Sequence, residues 1–324
     1  MPFRRQPEPA TRRLHPMPPD QPELRLYLHQ PMLGEVRQGR VNFLQRLMRL
    51  LNRQGWQVQV LRSGAEARAA APDLPGYALF HMEKPTHDRA LTFRRAYHFP
   101  FWRIEPVAER WRWPVADAVF DPSAIDGAAA DDFARRLARR VLPGPPPQRG
   151  QHALVPLQGL LGQTRSFQTM SPLKMLEHVA RTDRPTFATL HPKEEYTPED
   201  LAALDDLAAR HPNLTIGGDT AALLRNCAFV ATQNSAVAFD GFILGKPAVL
   251  FGQVDFHHIA LNVADLGADA ALAAAAGHAP DFARYLFWFL QRQAINMSAP
   301  DAETRIAATL RQHGWPVAPV KPAP

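Results

Sequence analysis

Two rhythms of apolar and polar positions succeed one another along the chain, short apolar runs and longer stretches at helical spacing, in a βα order. Leu24 to His29 reads as a first strand, with Gly34 and Gly39 in the loop that follows. From Val41 to Leu51 the apolar residues Val41, Leu44, Leu47, Met48 and Leu51 share one helical face, and Gly55 closes that helix. Trp56 to Leu61 and Tyr77 to His81 read as the next strands, separated by a short helix at Ala65 to Ala71. The aromatics between Tyr97 and Trp113 follow no clean period, so that stretch is expected only to be buried or cleft-facing. Asp131 to Val141 returns to helix, with Phe133, Leu137 and Val141 on one side.

The segment Leu142 to Gly150, LPGPPPQRG, interrupts both rhythms, because successive prolines hold an extended backbone poor in donors. It reads as a linker. Beyond it come strands at Ala153 to Leu157, Thr186 to Leu190, Leu214 to Ile216, Cys227 to Thr232 and Ala248 to Phe251. Helices are expected between them: one from Pro172 capped by Ser171, one from Pro198 capped by Thr197, one at Thr220 to Arg225, and one from Ala236 to Leu244. Gly245 suits the left-handed end of the last, and Pro247 stops it. Pro280 to Arg292 and Pro300 to Gln312 read as terminal helices, with Val317 to Pro324 frayed. The fold class expected is α/β, two Rossmann-like domains facing each other across a cleft. The expected division is 1–22 as a disordered basic, Pro-rich arm, 23–141 as the N-terminal domain, 142–150 as linker, 151–298 as the C-terminal domain, and 299–324 as terminal helix and tail.

Composition narrows this picture. A chain of 324 residues with 46% hydrophobic and 21% charged residues suits two ordinary globular domains. No apolar run approaches the ~20 residues that cross a bilayer, and the first residues carry no apolar core of a secretory signal. One cysteine excludes an intramolecular disulfide and a multi-cysteine zinc site, and fits a reducing compartment, with cytoplasm the default. The net charge of +6 comes almost wholly from Arg. Nucleic-acid binding would concentrate that charge on one face among aromatics, and only Phe93 to Trp113 resembles this, so nucleic acid is not an expected partner. Anionic sugar nucleotides, or an anionic membrane surface touched peripherally, account for the charge equally well.

The candidate chemistry lies at strand ends. His191 terminates a strand, and Pro192 and Lys193 follow it, so the imidazole can donate to a phosphate from a fixed loop; the alternative is a plain loop approaching a helix. Gln233, Asn234 and Ser235 sit between a strand and a helix N-terminus, as phosphate donors or as an ordinary N-cap. Asp240 can accept from ribose or sugar hydroxyls, or be a solvated helix acid. His81, Glu83, Lys84, His87 and Asp88, then Arg94 and Arg95, form either a solvated loop or an acceptor site. Asp255, His257 and His258 without a distant fourth ligand make a poor zinc site, and no metal or cofactor is expected. Walker, G-x-G-x-x-G, G-x-S-x-G and H-E-x-x-H patterns are absent, which removes most support for the corresponding enzyme classes.

Leu154-Val155-Pro156-Leu157-Gln158, then His191-Pro192-Lys193, then the run from Gln233 to Gly241 with Leu244 to Val249 and Phe251-Gly252, resemble the capsule polysaccharide biosynthesis proteins, which include bacterial β-Kdo transferases of the GT-B type. The resemblance covers roughly residues 150–260. It implies a cytoplasmic glycosyltransferase of surface polysaccharide assembly that moves Kdo or another CMP-activated acidic sugar to a glycan or glycolipid acceptor. His191 and the Asn234/Ser235 loop would hold the nucleotide, with Gln158 beside them in the cleft. Two departures stand out: Gln158 to Gln163 lacks the acid expected after the V-P-x-Q strand, and Asn234 replaces a hydroxyl residue. Glu83 is then the foremost candidate base for the acceptor hydroxyl, with Glu35 and Glu105 behind it. The alternative is a non-catalytic sugar-nucleotide- or glycan-binding protein on the same fold.

Overall fold

The computed structural model describes residues 21–320, so most of the arm expected at 1–22 lies outside the described residues. Twelve strands are found among these: β1 (Glu23–Leu28), β2 (Gln57–Arg62), β3 (Tyr77–His81), β4 (Ala90–Arg95), β5 (Phe101–Glu105), β6 (Ala153–Pro156), β7 (Thr186–Thr189), β8 (Leu214–Ile216), β9 (Phe229–Thr232), β10 (Ala248–Leu250), β11 (Leu261–Asn262) and β12 (Ile295–Asn296). They form two separate six-stranded sheets, ordered β12-β5-β4-β3-β1-β2 and β11-β10-β9-β6-β7-β8. The second is parallel throughout; in the first, β5 runs antiparallel to both β4 and β12. Parallel strands covered on both faces read as apolar runs, and every residue of β1, β6 and β9 is buried.

The helices start and stop where local chemistry requires. Ser171 accepts from Lys174 N at 3.4 Å, and Thr197 with Asp200 closes a reciprocal capping box. Gly245 adopts φ 67°, the left-handed position predicted for the end of helix Ala236–Ile243. Helix Asn42–Arg53 buries Phe43, Leu44, Leu47, Leu50 and Leu51; Leu50, rather than Met48, completes the face.

Several expectations need correction. Gly34 lies inside a helix, Gln30–Arg37, because Pro31 opens it and Met32, Leu33 and Val36 bury one face, which outweighs the cost of a glycine. The stretch without clean periodicity contains β5, an edge-side strand whose five residues are all buried. The expected helix Pro280–Arg292 is an α-helix, Phe282–Phe287, continued by a π-helical turn, Trp288–Arg292. The expected frayed tail is packed at its start: Val317 is buried, and Trp315 stacks on Trp56 at 5.9 Å between ring centres. Thus the chain returns to the first sheet at β12, before residue 298, and continues into helix Ala302–Gln312, whose Ile306 and Leu310 join the core around helix Asn42–Arg53.

The Pro-rich segment is held to the second sheet's unit. Arg225 donates to the carbonyls of Leu142, Pro143 and Pro145, and buried Lys246 donates to those of Gln148 and Cys227. Elements of both halves also share one apolar cluster, in which Phe101, Trp113 and Phe133 meet Phe239, Phe242, Tyr285 and Phe289.

Candidate functional site

Each sheet reverses its direction of growth once. In the first, β2 lies on one side of β1 and β3 with β4 on the other; in the second, β7 with β8 lies on one side of β6 and β9 with β10 on the other. At such a reversal the crossovers leave on opposite faces and open a crevice at the carboxyl ends of the strands, where open α/β sheets take ligands. The carboxyl ends of β1 and β3 lead to His29 and Glu83, and those of β6, β7 and β9 lead to Gln158, His191 and Gln233 to Ser235.

In the second sheet these ends are tied together. Leu157 N donates to Thr189 O at 2.8 Å, and Thr232 Oγ1 to Pro156 O at 3.2 Å. The structure therefore brings Gln158, His191 and the Gln233 loop to one edge, the latter two about 10 Å apart at two strand spacings. His191 is half-buried and its Nδ1 accepts from Lys193 N at 3.2 Å, which puts the proton of the neutral ring on Nε2 as a free donor. Pro192 and Lys193 are exposed beside it.

The Gln233 loop is less open than expected. Gln233, Asn234 and Ser235 are 2%, 7% and 7% exposed, so their side chains cannot all serve a ligand. Gln233 Nε2 donates to Met170 O at 3.0 Å under the segment Arg165 to Thr169, which folds back on the end of β10. Ser235 Oγ accepts from Val237 N at 3.3 Å as an N-cap, and Asn234 O accepts from Arg110 Nη2 at 2.9 Å. The Asn234 amide alone makes no side-chain hydrogen bond among the described residues.

Two groups at this edge escape sequence reasoning. Arg165 leaves Nε and Nη2 buried without a partner while its guanidinium covers the Phe167 ring at 4.9 Å, and Gln158 Oε1 is likewise unpartnered. Glu194, two residues past Pro192, brings its carboxylate against Gly159, where any Cβ would collide with it. The β6 loop that lacks an acid in sequence so receives one from the β7 loop. The Glu194 signal was present in His191-Pro192-Lys193-Glu194; the Arg165 signal was an isolated Arg in a polar loop and had no spacing to single it out.

At the first sheet's edge, Glu83 Oε2 accepts from Ser63 Oγ and lies 3.3 Å from Arg68 Nη1, while Oε1 lies 3.7 Å from His29 Nε2. His81, two residues before Glu83 at the end of β3, has its pKa pushed down to about 4 by burial and then by His29, Arg94 and Arg95, so it is neutral near pH 7. Met82 at this edge and Leu160 at the other are both exposed and both at positive φ, 60° and 61°. Such backbone costs energy and recurs at functional loops. Glu35 is not part of this group of contacts, and Glu105 is buried in β5.

Between the two sheets runs a polar cluster. Tyr97 donates to Asp255, which is fully buried; Arg110 donates to Tyr97 and lies 3.8 Å from Asp255. Burial pushes the Arg110 pKa down, but Tyr97 and Asp255 outweigh it and hold it above the ordinary value. Burial, moderated by Arg103 and reinforced by Asp255, pushes Glu105 up to about 7. Asp240, expected to accept from a sugar, instead lies 2.7 Å from His98 Nε2, because helix Ala236–Ile243 faces the turn before β5. His257 and His258 donate by Nε2 to Ala116 O and Val115 O, each at 3.0 Å, and stack at 4.4 Å, so both rings fasten helix Pro114–Asp117.

No protein-family model matches the sequence, and no curated protein does. Among solved structures the chain is similar to the β-Kdo 2,7-transferase KpsC of Thermosulfurimonas dismutans, at 13% identity and a TM-score of 0.46, over 78% of this chain and 90% of that one. It is similar to the UDP-GlcNAc 2-epimerase of Methanocaldococcus jannaschii in complex with UDP-GlcNAc and UDP, at 11% identity and a TM-score of 0.33, over 90% and 99%. The wall teichoic acid polymerase TagF follows at 10% identity and a TM-score of 0.27, over 90% and 88%. At these identities and scores the likenesses bear on neither substrate nor mechanism.

Proposed function

We propose that the chain is a glycosyltransferase of GT-B type whose two sheet edges face one another across a cleft, the second edge taking a nucleotide sugar and the first a glycan or glycolipid acceptor. The observation that carries this reading is the pair of reversal points, each with polar and titratable groups gathered at the carboxyl ends of its strands. In this reading His191 Nε2, Lys193, the Asn234 amide and the unpartnered N–H groups of Arg165 meet the phosphates, where Arg offers planar donors suited to phosphate oxygens. Gln233 and Ser235 shape the loop, Gln158 faces the sugar, and Asp240 fixes the His98 turn. A CMP-activated acidic sugar such as Kdo is the favoured donor, on the sequence resemblance alone. Protein donors can stabilise a departing phosphate without a metal.

Transfer needs a base within hydrogen-bond reach of the acceptor hydroxyl. Glu83 is one candidate and Glu194 the other. The alternative reading, a binding protein on the same fold, is favoured by the engagement of Glu83 with Ser63 and Arg68, which occupies the base. Thermal shift with CMP and UDP, then turnover of CMP-Kdo with a capsular oligosaccharide by the protein and its Glu83→Gln and Glu194→Gln variants, separates the readings. The transferase reading expects stabilisation by a nucleotide and loss of turnover in one variant; nucleotide binding with no turnover would favour the binding protein. No membrane-crossing helix is found among the described residues, and the approach to a membrane surface remains part of the proposal.

A further inference from the structure

A cavity lies at the β5–β12 side of the first sheet, level with the carboxyl end of β4, between helix Gly127–Val141 and the segment that carries β12. Its volume is about 460 Å³, within the range of small-molecule sites. Phe101 and Phe133, both buried, form its apolar base, and Gln291, Asn296 and Ser298 contribute polar groups. All the charged residues that line it are arginines, Arg136, Arg139 and Arg140. Arg136 is paired with Asp132, but neither Arg139 nor Arg140 has a carboxylate within ion-pair distance among the described residues. The Arg140 guanidinium lies 5.8 Å from the Phe101 ring centre, and burial lowers its pKa. Phe99, next to Pro100 in the cavity wall, is 51% exposed.

A wall with two uncompensated guanidinium groups, amide and hydroxyl donors and no acid attracts an anion with several acceptor oxygens. We propose that this cavity binds a phosphate group, with Arg139 and Arg140 as its principal contacts. The exposed Phe99, which precedes Pro100 of the cavity wall, offers an aromatic ring that can enter a bilayer interface while basic side chains engage anionic headgroups. Free phosphorylated compounds offer the same chemistry. Both arginines lie in the last turn of their helix, where a cation also favours the helix dipole, so a purely stabilising role predicts an effect on unfolding alone. The cavity lies two strands along the first sheet from β3 and shares no lining residue with the contacts around Glu83, and its test does not depend on the transferase reading.

The full chain is compared with its R139Q/R140Q variant, and with R37Q/R49Q, which removes the same charge from exposed positions elsewhere. Binding is measured to phosphatidylcholine vesicles containing phosphatidylglycerol, by co-sedimentation, and to inorganic pyrophosphate, by calorimetry. The proposal expects binding of at least one probe, weakened tenfold or more in R139Q/R140Q and less than twofold in R37Q/R49Q. A response in the vesicle arm alone assigns a lipid headgroup, and one in the pyrophosphate arm a soluble phosphate. Absence of binding in both arms, equal loss in the two variants, or a change confined to unfolding temperature would overturn it. If R139Q/R140Q fails to fold, R139Q alone is read against the same criteria.

Discussion

Buried side chains with a single geometry decide most of what holds the second sheet's unit together. Lys246, only 4% exposed, spends its ammonium on the carbonyls of Cys227 and Gln148, so it ties the Pro-rich segment to the start of β9. Lys246→Met keeps most of the volume and leaves the buried Cys227 carbonyl without this donor, and is expected to cost about 1–3 kcal/mol in urea unfolding. A second consequence concerns pH. Burial, then His257, pushes the His258 pKa down to about 4 from an ordinary 6.5, so between these values the unfolded chain binds the proton that the folded chain refuses. Stability therefore falls as pH drops from about 6.5 through 4, and His81 adds to this in the same direction. Glu105 works the other way: raised to about 7 from 4.5, it favours the folded state below that window and loses this contribution as pH rises through it. In the overlap the two histidines outweigh one glutamate by one proton, a slope of about 1.4 kcal/mol per pH unit. His258→Gln is expected to flatten the pH dependence of the urea midpoint between about pH 6.5 and 4.5; an unchanged slope would show that His258 does not stay neutral in the fold.

At the scale of elements, what the sequence made legible follows from how local each signal is. Strands β1, β6 and β9 and the helices after Ser171, Thr197 and Ser235 carry their apolar runs and caps within a few residues, and all are found. β5 was not legible, because its residues are buried by groups distant in sequence, β12 beside it and the aromatic cluster that Phe101 joins. The candidate site divides in the same way. His191 and Gln158 could be assigned to one edge from strand order alone, whereas the closure of the Gln233 loop depends on Arg110, more than a hundred residues away. That arginine serves Tyr97, Asp255 and Asn234 O together, a task for a planar fork and not for an ammonium. Arg110→Ala leaves Asp255 buried without its cation and is expected to cost roughly 3–5 kcal/mol, with Arg110→Lys recovering little of it. Unfolding free energies within about 1 kcal/mol of the parent for both variants would contradict this role.

The whole molecule is organised by a chain that builds one sheet, crosses to build a second, and returns to finish the first. The Pro-rich segment lies between β5 and β6, and the return through β12 carries no sequence mark, since a two-residue strand has no pattern of its own. Trp315, stacked on Trp56 and tilted against Tyr77, anchors that return, and Trp315→Ala is expected to destabilise the fold by about 3–5 kcal/mol in chemical denaturation. The functional account rests on the second reversal point holding a nucleotide. Calorimetric titration of CMP into the protein, its His191→Ala variant and its His211→Ala variant tests this most directly, because His211, also followed by proline, lies at the end of a helix before the start of β8, away from the carboxyl ends of the strands. The account predicts that His191→Ala weakens binding by about 1–3 kcal/mol, roughly five- to 150-fold, with His211→Ala unchanged. Equal affinities for the two variants, or no binding by the parent protein, would contradict it.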